Sequence, residues 1–268
     1  MFKSMFRFLR GDRHVRRIEE NLSGGDGHER RIIYPVTTIV EQALSDIRSV
    51  RMLARASADE RSRDSGTLSE DSVRRESRAL IAAARHAGCL LEASSVPGSR
   101  YTIRSGESEV RLVQKDQLYY KIKNPFAKLH IKKHPAEYVL FEHIVHNVMF
   151  PDCRLDFLGV VEDLHDARIV YRQHAVRSEI RPDDGQISVS LSELGLKPEN
   201  RYSFGNEYVF VTDVGQDGDN VLVDDDGFLR FIDPIIGFKL PLQKYLANID
   251  ALEKTIPDIV CKILDRFE

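Results

Sequence analysis

The segment YVFVTDVGQDGDNVLVDDDGFLRFIDPIIGF, residues 208–238, holds two short β-like runs, 221–223 and 228–232, around a turn at Asp224, Asp225, Asp226 and Gly227. Short apolar runs on either side of an acidic turn containing Gly predict a hairpin. That hairpin places Asn220 just before its first strand and Asp233 just after its second, so both side chains emerge at the same open end. An amide oxygen and a carboxylate brought together there suit a hard divalent cation such as Mg²⁺, which takes oxygen ligands and keeps some of its waters. The plain alternative is an ordinary acidic hairpin.

Asn-Val-Leu-Val-Asp-x-x-Gly, with an Asp thirteen positions after the Asn, resembles the metal-binding half of the protein-kinase-like fold. The runs HNVMFPD (146–152), YKIKNPFAK (120–128) and FIDPIIGFK (231–239) narrow the likeness. Together they resemble the polyvalent-protein kinase domains carried by bacterial mobile elements and phages, over roughly residues 82–238. The resemblance implies a compact two-lobed α+β fold. Its N-lobe is an antiparallel five-stranded sheet with one helix, and its C-lobe is small and mostly helical, with further helices at the N-terminus. It implies ATP and Mg²⁺ as cofactors and a hydroxyl acceptor, with Asn220 and Asp233 on the metal.

Composition narrows the function classes. A chain of 268 residues with 42% hydrophobic and 30% charged residues has enough length for a sizeable core. A net charge of −3 argues against a protein that mainly coats nucleic acid. Cys89, Cys153 and Cys261 are too far apart for a metal clip or disulfide framework. No apolar run is long enough to span a bilayer, and the charges within MFKSMFRFLRG spoil a signal peptide, so the expected location is the cytoplasm.

In chain order, residues 1–70 read as a basic arm, a helix and a flexible linker. The arm, 1–17, is a candidate contact for membrane or nucleic acid, although a frayed terminus explains it as well. Ile39, Val40, Ala43, Leu44, Ile47, Val50 and Leu53 form a helical stripe within 37–56 that docks on the main domain or on a partner. Residues 57–69 are polar and read as the linker. The N-lobe is expected over 71–176. It starts with a helix from Asp71 to His86, capped by Asp71 or Ser72 and ended by Gly88.

From Arg100 the apolar period changes to two, and three strands on short turns form a meander. Gly106 lies in the first turn, where the resemblance implies a backbone cover for phosphates. Lys121 stands where the family's phosphate-binding lysine does, and Lys123, on the same face of the strand, is its rival. A helix over 135–150 carries Glu137 near its buried stripe. A buried carboxylate needs a cation or hydrogen bonds, and the resemblance implies that Glu137 orders Lys121. Glu142 is the other candidate. Strands at 157–162 and 168–173 complete the sheet, and Gln173 to Val176 stand at the hinge, where Gln173 and Ala175 offer backbone groups to adenine. The C-lobe is expected over 177–268, with a Ser190/Glu193 capping box and two helices at 242–252 and 257–267.

The chain departs from the family pattern at the catalytic base. The position five before Asn220 is Gly215, and Asp213 stands seven before it. Asp213 follows the apolar run YVFV and is the expected base, with Asp217 and Asp219 as turn residues. Asp-Pro-Ile at 233–235 replaces Asp-Phe-Gly, and no Ala-Pro-Glu segment follows. An ATP- and Mg²⁺-dependent phosphotransferase is the first functional expectation. A nucleotide-binding pseudokinase and an interaction module using the basic arm are the alternatives.

Overall fold

In the computed structural model of the chain, residues 35–62, 69–102, 108–129, 132–133, 136–176, 178, 180–200, 203–215, 220–239, 252–254, 257 and 259–260 are described. The expectations for the basic arm, for Gly106, Asp217 and Asp219, and for most of the two C-terminal helices lie outside them.

Two helices open the described chain, α1 (Val36–Ser62) and α2 (Glu70–His86). α1 buries Ile39, Ala43, Ile47, Val50 and Leu53, the stripe its sequence predicts, against α2 and α3 (Ala136–Met149). It also runs six residues into the expected linker. Ser57 is fully buried there because its hydroxyl donates to the Glu76 carboxylate and accepts the Glu137 N–H. α2 is capped by Ser69, whose side chain accepts the Ser72 N–H, two or three residues earlier than expected.

α3 is buried at every residue except Tyr138. Such a helix has no solvent face because it is covered on more than one side. Here α1 packs along it, and core residues of the strands such as Ile169 and Tyr171 share its cluster.

The strands β1 (Leu90–Leu91), β2 (Ser99–Thr102), β3 (Ser108–Val113), β4 (Leu118–Lys123), β7 (Asp156–Asp163) and β8 (Asp166–His174) form one sheet in the order β1-β7-β8-β4-β3-β2. Five of them make the expected antiparallel sheet. The sixth, β1, runs parallel to β7 with Leu90 opposite Val160. It follows from the end of α2, where Gly88 adopts φ +71° and sends the chain back along the sheet edge. Lys128–Leu129 (β5) and Lys132–Lys133 (β6) form a separate two-stranded pair.

Gly159 makes the β1 edge possible. Its φ is +152°, and a Cβ there would sit 2.2 Å from the Cys89 carbonyl oxygen. Backbone cannot yield to that contact as a side-chain tip does, so Gly159→Ala is expected to cost about 1–3 kcal/mol or more of stability. Urea unfolding checks this, and an unchanged midpoint would show that the edge strand contributes nothing.

The register of β4 on β8 decides what faces the core. Tyr119, Lys121 and Lys123 lie opposite Gln173, Tyr171 and Ile169, and so share one face. Tyr171 and Ile169 pack beneath α3, whereas Ile122 and Val170 turn to a smaller cluster with Val96 and Val161. Both lysines therefore stand on the α3 side of the sheet.

Beyond residue 176 the described residues hold one full helix and six short strands, and residues 252–254, 257 and 259–260, in or beside the two expected C-terminal helices, are helical. One helix, α4 (Asp184–Glu193), precedes β9 (Lys197–Asn200), β10 (Ser203–Gly205), β11 (Val209–Thr212), β12 (Val221–Val223), β13 (Leu229–Phe231) and β14 (Ile235–Phe238). β14, β11, β10 and β9 form a four-stranded sheet in that order. Runs such as VFVT and IIGF are short, β-branched and aromatic, which suits strands. The capping box is Asp183 with Gln186 rather than Ser190 with Glu193. An earlier cap lets Ile187, Ser190 and Leu191 form the helix's buried face.

Candidate functional site

β12 and β13 pair antiparallel as the sequence predicts, with Val221 opposite Phe231 and Val223 opposite Leu229. Asp224 shapes the turn. Its carboxylate accepts the N–H groups of Asp226 and Phe228 at 3.0 and 2.8 Å and pairs with Arg230. At the open end the Ile232 N–H donates to the Asn220 carbonyl at 2.8 Å, which brings the residues before Asp233 against Asn220.

Asn220 Nδ2 donates to both the carbonyl and the carboxylate of Asp213, at 2.9 and 2.7 Å. Asp213 is exposed, just past the end of β11, with φ +61°. Asp is one of the few residues that enters this left-handed region readily. The expected base and the expected metal amide are thus in direct contact.

Asp233 meets the sheet. Lys121 Nζ lies 3.2 Å and Lys123 Nζ 3.3 Å from its Oδ1, although both lysines stand more than a hundred positions before it. Lys121 Nζ also donates to the Ile232 carbonyl at 2.8 Å. Gln173 Nε2 donates to that same carbonyl at 3.1 Å and to Cys153 O at 2.6 Å. His146 Nε2 lies 3.2 Å from Phe231 O and donates there as the Nε2–H tautomer. Three successive residues of the segment 231–233 are therefore held by side chains of β4, β8 and α3.

Charge follows from this placement. Burial acts to raise the Asp233 carboxyl, but the two lysines outweigh it and hold the group well below the usual carboxylate range. Burial lowers the Lys121 ammonium, and Asp233 opposes that effect. The Asp233 side chain keeps 38% of its exposure against 7% for Lys121, so the acid retains an edge open to solvent.

Glu137 does not join the constellation. It is buried in the first turn of α3, where its N–H meets Ser57 of α1, and Lys121 pairs with Asp233 instead. The first turn of α3 points to α1 and α2. The part of α3 that reaches the site is one to two turns later: Glu142, His143 and His146 line a small cavity with Lys123, Tyr171, Asp233 and others. Burial raises the Glu142 carboxyl, Lys123 opposes this, and its Oε1 accepts the Ile236 N–H at 3.4 Å. Ala175, expected to offer backbone groups to adenine, has one of them engaged within the sheet. Its N–H donates to Gln117 O at 2.8 Å, because the pairing of β8 with β4 continues one residue past the strand into the turn before β4. At Gln173 the buried side chain, not the backbone, reaches toward the hairpin.

A family model described as Serine/Threonine/Tyrosine Kinase found in polyvalent proteins matches residues 74–240. The chain belongs to this kinase family. No curated protein and no solved structure matches it. The matched stretch of the polyvalent-protein kinase family includes the whole constellation of Lys121, Lys123, Gln173, Asp213, Asn220 and Asp233, and leaves α1 outside.

Mg²⁺ is the metal this family implies, and the donor set suits it. Among the described residues no three His, Cys, Asp or Glu side chains gather as a ready-made metal cage. One carboxylate and one amide suit a cation that draws its remaining ligands from phosphates and water, as Mg²⁺ does. The two lysines favour the ionised form of Asp233 and its side chain is partly open, both of which suit a metal ligand. Among the described residues no helix is long and apolar enough to cross a membrane.

Proposed function

We propose that the protein is an ATP- and Mg²⁺-dependent phosphotransferase that moves the γ-phosphate to a hydroxyl acceptor. The observation that carries this reading is the convergence of Lys121 and Lys123 from β4 on Asp233 at the end of the metal-type hairpin. On this reading residues 71–176 act as the N-lobe and 177–268 as the C-lobe, with the nucleotide between them.

The residues divide the work. Lys121 and Lys123 supply positive charge to the phosphates, which they reach by exchanging one carboxylate partner for a phosphate oxygen. Asp233 and Asn220 would hold Mg²⁺, which would supply positive charge to offset the phosphate charge. Gln173, Lys121 and His146 keep segment 231–233 in place, so that Asp233 is positioned before any ligand arrives. Asp213 accepts the proton of the acceptor hydroxyl, and the Asn220 amide orients its carboxylate. Phosphoryl transfer depends more on positioning and charge than on base strength.

Asn220→Ala removes one metal donor and the group that orients Asp213. The variant is expected to need about tenfold more Mg²⁺ for half-maximal transfer of labelled phosphate from ATP. An unchanged Mg²⁺ dependence would remove Asn220 from the metal site. A second reading, a nucleotide-binding pseudokinase, draws on the displaced Asp213 and on the Ala175 N–H already bonded to Gln117. Metal-dependent ATP binding by the wild type, with no labelled phosphate on any acceptor or on the protein itself, would favour it.

A further inference from the structure

α1 precedes the family-matched stretch, and its side chains hydrogen-bond near both ends of α3. At the N-terminal end the Ala136 N–H donates to Glu76 of α2 at 2.8 Å and the Glu137 N–H to Ser57 of α1 at 3.2 Å. Ser57 also donates to Glu76. The first N–H groups of a helix have no partner within it and require one from elsewhere. Two other helices supply them here.

At the other end Asn147 Nδ2 donates to Asp46 of α1 and to Leu155 O, each at 2.9 Å, and its Oδ1 accepts the Leu155 N–H at 2.7 Å. Asp46 is 5% exposed and also pairs with Arg154. Between these anchors α3 presents Glu142 to the Ile236 N–H and His146 to the Phe231 carbonyl, one on each side of Asp233.

We propose that α1 is a built-in positioning element of the metal site: Asp46 and Ser57 fix α3, and α3 through Glu142 and His146 fixes the backbone that carries Asp233. The inference rests on the reading of Asp233 as a metal ligand. Asp46 and Ser57 touch no reacting group, and their effect passes through α3. Groups that orient a metal ligand at one remove typically change metal affinity or activity by 10–100-fold.

The test compares full-length wild type with Asp46→Ala and Asp46→Asn, the second keeping an oxygen for Asn147. ATP affinity is measured with and without Mg²⁺, and hydrogen exchange is followed over residues 231–236 without ligand. Asp46→Ala is expected to lose about tenfold of the Mg²⁺-dependent gain in ATP affinity while metal-free affinity stays the same. It should also exchange faster at 231–236, and Asp46→Asn should restore both. A full Mg²⁺-dependent gain with wild-type exchange in Asp46→Ala would overturn the proposal. If Asp46→Ala fails to fold, Ser57→Ala takes its place with the same expected losses. If the wild type itself shows no Mg²⁺-dependent gain, the functional reading fails. Exchange at 231–236 then decides alone whether α1 holds this segment.

Discussion

Asp233→Asn is expected to lower phosphoryl transfer by about 10²–10³-fold or more, the range lost when one preorganised electrostatic group is removed from a transition state. The substitution keeps the shape of the side chain and removes the charge that draws Lys121 and Lys123 together. The fold should survive. Lys121 keeps the Ile232 carbonyl as acceptor, and its ammonium, already lowered by burial, can shed its proton when the counter-charge is gone. Circular dichroism and urea unfolding establish the fold, and a labelled-phosphate assay reads the activity. Transfer at the wild-type rate in a folded variant would remove Asp233 from the reaction.

The second large effect is on acid stability. His143 and His146 are both buried on α3, and burial lowers them from 6.5 to about 3 and about 4. The sign follows from proton counting. Between roughly pH 6.5 and 4 the unfolded chain binds protons on these rings that the folded chain refuses, so stability falls as pH falls. Each ring contributes a slope of about 1.4 kcal/mol per pH unit in that window.

Other groups act differently. Asp233, held low, loses its contribution only below the ordinary carboxylate value. Asp46 and Glu142, raised by burial, favour the fold as they take up protons and so oppose the histidines. His143→Phe isolates one ring: it keeps a flat side chain beside Tyr171 and Phe157 and removes the titration. Its unfolding free energy is expected to fall less steeply with acid, by about 1.4 kcal/mol per pH unit between pH 6 and 4. An unchanged slope would show that His143 is protonated in the folded state.

What sequence could and could not show follows from the kind of signal each residue carries. The hairpin was legible because Asp224 and Gly227 mark its turn and because the strand period puts Asn220 and Asp233 at one end. Lys121 was legible through the family resemblance, while the strand period puts Lys123 on the same face, and both lie against Asp233. The helix partner was not legible. A stripe argument needs a polar face for contrast, and α3 is buried almost all round because α1 covers the side that solvent would otherwise wet. The stripe therefore favoured Glu137 over Glu142, although both are buried.

The polar run after Ser57 read as a linker because composition does not show that Ser57 and Glu76 satisfy the start of α3. Gln173 was expected to act through its backbone, and nothing in its neighbours along the chain indicates a side-chain bond to a carbonyl 59 positions away. In the second lobe the family likeness implies mostly helix, and the described residues add a four-stranded sheet that VFVT and IIGF join, runs whose β-branched and aromatic residues suit strands.

The most direct measurement of the central claim, a nucleotide–metal site between Lys121 and the Asn220–Asp233 hairpin, is thermal unfolding of the wild type with ATP, in the presence and absence of Mg²⁺. A ligand that binds only the folded state adds about 2.7 kcal/mol at a hundredfold excess over Kd. The account predicts a rise in Tm with ATP that is clearly larger when Mg²⁺ is present. A folded protein whose Tm is the same with ATP and Mg²⁺ as without them would contradict it and leave residues 220–233 an acidic hairpin with two lysines at its end.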